Sequence, residues 1–133
     1  MTWITWDEKQ ITGHPGMDQG HKQLVGLINQ LANAMENNQP REFCSQTLDR
    51  LIEQIKSHFH VEEQLMARHR YPKAREHMAL HAMLARDVQA FKESYDAGQT
   101  AEFVTLLVIL DSWLDRDIIA ADKALADFIA TVA

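Results

Sequence analysis

The sequence predicts an all-α protein: an up-down-up-down antiparallel four-helix bundle preceded by an N-terminal arm. Three observations predict it. Apolar residues recur at steps of three or four through four long segments. Brief Pro, Gly and Asn breaks part those segments, and short breaks between long amphipathic helices make antiparallel neighbours. At 133 residues and 46% hydrophobic, the chain fits a single domain, 1–133, with one core of ordinary size.

The arm spans residues 1–17 and closes at His14-Pro15-Gly16. Trp3, Ile4 and Trp6 make it an ordered arm, because such side chains are costly to leave in water. The bundle occupies 18–133. Asp18 serves as N-cap of the first helix, whose stripe is Leu24, Leu27, Ile28, Leu31 and Met35. After Asn38-Gln39-Pro40, Pro40 suits the first turn of the second helix, with Phe43, Leu48, Leu51, Ile55, Phe59 and Met66. Tyr71-Pro72 opens the third, which carries Met78, Leu84, Val88 and Phe91 and ends near Gly98. Thr100 caps the fourth, which keeps helical phase through Phe103, Leu107, Leu110, Trp113, Ile118 and Leu125.

Composition removes several function classes. The longest apolar run, Phe103 to Leu110, is too short for a membrane span, and the N-terminal residues lack the pattern of a signal peptide. A net charge of −6 argues against nucleic acid or an anionic membrane as partner. The lone Cys44 excludes an internal disulfide framework and points to a reducing compartment, the cytoplasm. No Gly-rich phosphate loop or nucleophile elbow is present. Asp111, Asp115, Asp117 and Asp122 lack the spacing and glycine of a calcium loop, so most of that acidity is solvated surface.

Seven histidines in so short a chain are the oddity. His58-x-x-x-Glu62 and His77-x-x-x-His81 each place two side chains one turn apart on a single helix face. Both pairs continue apolar stripes. His21 leads into Leu24, Ile28 and Leu31, while Asp117 and Asp122 follow Leu110 and Trp113. Taken alone, each has a bland reading. A lone stripe His is ordinarily a hydrogen-bonded core residue, and Glu62 beside Glu63 reads as a solvated face. Their shared phase on four helices is harder to dismiss. A carboxylate facing a core costs several kcal/mol unless it is paired or binds metal. A metal centre supplies the common partner. Imidazole plus carboxylate suits iron, manganese or zinc, and two bridging carboxylates favour a pair of ions. His60 lies about 200° around the helix from His58 and faces elsewhere. Pro15-Gly16 should prevent a helix between His14 and Asp18, and His69 sits at a helix end.

At this point the chain resembles the bacterial hemerythrins over nearly its whole length. The resemblance is carried by Trp6, Asp18-x-x-His21-x-x-Leu24, His58-Phe59-x-x-Glu62-Glu63-x-x-Met66, Tyr71-Pro72, His77-x-x-x-His81, and Trp113-Leu114 followed by Asp122. It implies a bundle around two non-haem iron ions, an oxo- or hydroxo-bridged di-iron centre that binds dioxygen reversibly. His21 and His58 would hold the iron that receives oxygen, His77 and His81 the filled iron, and Glu62 and Asp122 would bridge. The family pattern has a fifth His where this chain has Asp117. Asp117 then either ligates as a carboxylate, leaves its place to a water, or leaves that iron weakly held. The resemblance implies an oxygen-binding protein for storage, delivery or sensing, with dioxygen or another small diatomic or peroxide as partner. The rivals are a di-iron redox enzyme acting on peroxide or nitric oxide, since an anionic ligand stabilises Fe(III), and a metal-poor interaction module.

Overall fold

Pro15 opens the first long helix, where its missing N–H has no intrahelical partner to lose and its fixed φ already suits the helix. The structure, a computed structural model, describes residues 4–98 and 103–132, the Phe103 side chain excepted. Trp3 and the Thr100 cap expected from the sequence lie outside these residues. Helix α1 runs Pro15–Glu36, α2 Arg41–His69 and α3 Ala74–Asp96. Then α4 (Phe103–Trp113), a π-helical segment (Leu114–Asp122) and α5 (Lys123–Val132) continue one another as the fourth helix of the bundle. The chain is all-α, a four-helix bundle. Consecutive helices pack side by side, and α4 returns to α1. No helix among the described residues is long and apolar enough to cross a membrane.

Two boundaries differ from the sequence reading. Helix α1 begins at Pro15 rather than after Asp18, capped by His14, whose Nδ1 accepts from the Met17 N–H at 3.2 Å. Asp18 ties the arm down instead, accepting from the Thr12 backbone N–H and hydroxyl, both at 2.8 Å. The arm thus ends at His14. Its backbone at Ile4 exchanges two hydrogen bonds with the Asn29 amide at 2.8 and 2.7 Å, and its 3-10 turn, Glu8–Gln10, packs on the π segment. Second, the fourth helix does not keep α phase throughout. Residues Leu114–Asp122 are π-helical, a geometry in which N–H groups reach back five residues rather than four.

Single residues in left-handed geometry end three helices: Asn38 (φ 54°) follows α1, Arg70 (φ 51°) closes α2, and Gly98 (φ 79°) follows α3, where glycine carries no Cβ penalty. Phe43 and Met78, assigned to buried stripes by spacing, are 43% and 47% exposed, so the buried faces of α2 and α3 are narrower than the apolar pattern. The core has two parts. A large cluster joins Leu24, Ile28, Leu51, Phe59, Leu84, Leu110 and Trp113; a smaller one joins Met17, Met66, Leu125 and Ile129. Along each helix the predicted ligands fall between them. His21 sits between Met17 and Leu24, Glu62 between Phe59 and Met66, and Asp122 between Ile118 and Leu125.

Candidate metal centre

Six polar side chains meet in the gap between the two apolar clusters. His21, His58, Glu62, His77, His81 and Asp122 are all buried. The two carboxylates divide their oxygens between two pairs of imidazoles. Glu62 Oε2 lies 2.5 Å from His58 Nε2 and 3.4 Å from His21 Nε2, while Glu62 Oε1 lies 2.8 Å from His77 Nε2 and 2.9 Å from His81 Nε2. Asp122 does the same, with Oδ2 2.7 Å from His21 Nε2 and Oδ1 2.9 Å from His77 Nε2. Two donor groups result, His21-His58-Glu62-Asp122 and Glu62-His77-His81-Asp122, each with its ligand atoms within 4.8 Å of one another. Both carboxylates belong to both groups.

The donors fit a pair of cations better than they fit each other. His58 Nε2, Glu62 Oε2 and Asp122 Oδ1 are buried yet make no hydrogen bond of acceptable geometry among the described residues. They nonetheless stand 2.5 and 2.9 Å from their neighbours. Lone pairs that crowd together at angles no N–H···O bond accepts converge on points a cation fills.

Protons take over that role when no cation is bound. Burial alone would lower the pKa of His21, but hydrogen bonds and charge from Asp122 and Glu62 raise it to about 9, and His77 is raised to about 9 for the same reasons. Burial would raise the Glu62 pKa; the imidazoles of His21, His58, His77 and His81 crowded against its two oxygens instead hold it well below the usual range.

Neighbours that are not themselves candidate ligands fix the rings. Phe59 stacks flat on His81, centroids 3.8 Å apart and 5° from parallel. Glu63, which by sequence hints only at solvation, places Oε2 3.4 Å from His81 Nδ1, a partner for the nitrogen that faces away from Glu62. Gly20 leaves room for His58: a Cβ there would stand 2.5 Å from His58 Nδ1. The residue type alone does not announce this, since Gly26, also inside α1, has nothing within 4 Å of such a Cβ.

Asp117 is the one predicted site residue that joins neither group. It is buried beside them, with Oδ1 accepting from Arg116 Nε at 2.7 Å and Oδ2 without a partner among the described residues. Burial raises its pKa against the opposing pull of Arg116. Neither His60, exposed as its phase requires, nor His69, half-buried at the end of α2, belongs to either donor group.

Residues 12–129 match the profile of the hemerythrin HHE cation binding domain. The chain belongs to the hemerythrin family. It is 28% identical over 127 residues to proteins named bacteriohemerythrin from Stenotrophomonas maltophilia (strain R551-3) and Pseudomonas aeruginosa (strain LESB58). Each of these alignments covers 96% of this chain and 82% of the relative. In this hemerythrin domain the His, Glu and Asp cluster lies where the residues of a metal centre are expected.

Proposed function

We propose that the chain is a di-iron protein that binds dioxygen reversibly, for storage, delivery or sensing. The observation that carries the reading is that Glu62 and Asp122 each turn one oxygen toward His21 and its neighbours and the other toward His77. His21 and His58 would hold one iron, His77 and His81 the other, with both carboxylates spanning the two. When bound, the irons supply the electrons that dioxygen accepts and returns. The residues of the chain do the rest. Imidazoles supply neutral donors and the two carboxylates offset part of the charge of the ions, while Leu24, Ile28, Phe59 and Trp113, all buried, exclude water from the centre. A reducing cytoplasmic setting belongs to the same reading and is supported by the lone, buried Cys44.

One observation favours a second reading. Asp117 is a buried carboxylate near His81 and Asp122; in its ionised form, which Arg116 favours against burial, it would stabilise Fe(III) and suit redox chemistry on peroxide or nitric oxide. Exposing the anaerobically reduced, iron-loaded protein to oxygen and then degassing it separates the two. Spectral changes that reverse on degassing support oxygen carriage; prompt, irreversible oxidation supports the redox enzyme. A chain that takes up no iron after anaerobic reconstitution defeats both and leaves an interaction module.

A further inference from the structure

We infer that the ion position held by His77 and His81 keeps an open site for a small protic ligand, either water, hydroxide or hydroperoxide, and that Asp117 is its hydrogen-bond acceptor. The inference rests on the di-iron reading above. The two donor groups are alike in number and kind: two imidazole nitrogens and one oxygen from each of Glu62 and Asp122. Four protein donors leave positions open on an octahedral ion, and here they do so on both sides of the centre. Asp117 is the neighbouring carboxylate, yet it joins neither group, and Arg116 Nε claims its Oδ1. Its Oδ2 stays buried with no partner among the described residues. A carboxylate oxygen in that state lacks a donor, and a protic ligand on the adjacent ion supplies one.

The two sides of the centre therefore differ. Beside His21 stand the rings of Trp6 and Trp113, at centroid distances of 6.2 and 6.4 Å. The buried Trp113 Nε1–H has no acceptor among the described residues. That side offers a donor to a ligand without protons, and the Asp117 side offers an acceptor to a ligand with them. The Asp117 side also has an approach from solvent. A groove of about 320 Å³ is lined by Tyr71, Lys73, His77 and Arg116, and Arg116 reaches from it to Asp117.

Azide tests the assignment because it is a small anion with no hydrogen to offer Asp117. Wild type, Asp117→Asn and Asp117→His are loaded with iron, oxidised, and titrated with azide, with iron per chain measured in the same samples. All three should hold about two irons. Wild type should bind about one azide per chain, at the side away from Asp117. Asp117→Asn should bind about two, because the amide removes the negative charge and presents an N–H. Asp117→His should bind about one, because an imidazole closes the open position. If Asp117→Asn loses about half its iron, Asp117 is itself a ligand and the inference is overturned. Full iron with about one azide in Asp117→Asn, or about two in wild type, also overturns it. A wild type without iron overturns the di-iron reading and this inference together.

Discussion

At the scale of single residues, the centre depends on what is missing as much as on what is present. Gly20 and Gly26 are both interior glycines of α1, but only at Gly20 would a Cβ meet the site, 2.5 Å from His58 Nδ1 and 3.1 Å from Cε1. Replacing either by alanine removes backbone freedom from the unfolded chain and favours the helix by up to ~1 kcal/mol. Gly26→Ala should raise the melting temperature with and without metal and leave iron content alone. Gly20→Ala should forfeit that gain even without metal, because the added Cβ pushes the buried His58 ring off its position, and should cut iron toward about one per chain. A differential melting experiment on both variants, with and without chelator, checks the contrast; equal behaviour would mean His58 does not need the gap. Helical phase makes a companion prediction. His58→Ala should lose iron and His60→Ala should not, since His58 is buried in the centre and His60 is exposed. That distinction was legible in the sequence because it depends on one helix alone. Which side chain Gly20 makes room for lies beyond a linear reading, because the atoms that meet belong to different helices, Gly20 on α1 and His58 on α2.

At the scale of elements, the π segment explains how Asp117 and Asp122 come to be buried together. Five residues on an α-helix differ by about 140° in direction, which would turn one of the two away from the core. A backbone that closes on the fifth residue returns Asp122 nearly to the face of Asp117. The segment accordingly acts as an α-helix with an extra residue. Deleting exposed Ala120 would bring the two carboxylates to a separation of four, about 40° apart on a plain α-helix. The shortened chain should fold, keep about two irons, and melt no lower than wild type in the metal-free form. Metal analysis and thermal melts check this; a deletion that folds but loses iron would show that the π backbone positions Asp122 in a way that facing alone does not. The sequence reading carries α phase straight through these residues. Leu114 and Ile118 are four apart and Ile118 and Leu125 seven apart, spacings that also fit an α-helix, so most of the buried apolar positions here carry no mark of the change.

At the scale of the whole molecule, metal and protons compete for the same interior. In the metal-free fold His21 and His77 have pKa values raised from 6.5 to about 9. The folded state therefore holds these protons more tightly than the unfolded chain. Their contribution is fully present below about pH 6.5 and is lost as pH rises through about 9. Iron needs the same nitrogens unprotonated, so its stabilisation grows across that window. The chelated protein should be less stable at about pH 9 than at about pH 6.5, by an unfolding free energy on the order of a few kcal/mol, while the gap between iron-loaded and chelated forms widens. Calorimetry at several pH values checks the slope. An iron-loaded and a chelated form melting together at every pH would remove the metal from the account of stability.

The sequence alone determined the bundle, because helical spacing, Pro and Gly breaks and total apolar content are local or additive properties that a linear reading can sum. It also picked out His21, His58, Glu62, His77, His81 and Asp122, because a polar residue in phase with an apolar stripe must face the core whatever its neighbours are. What lies beyond one helix was decided in three dimensions. Tertiary packing determined that Glu62 and Asp122 each present one oxygen to either imidazole pair. It determined that Glu63 faces the outer nitrogen of His81 and that Asp117 joins neither donor group; the pairing of Asp117 with its chain neighbour Arg116 was among the partners the sequence already offered. The physical reason is range. Periodicity sets the direction of a side chain around its own axis, whereas coordination depends on distances of a few ångströms between atoms on different helices, set by how the helices pack and where one of them changes its pitch.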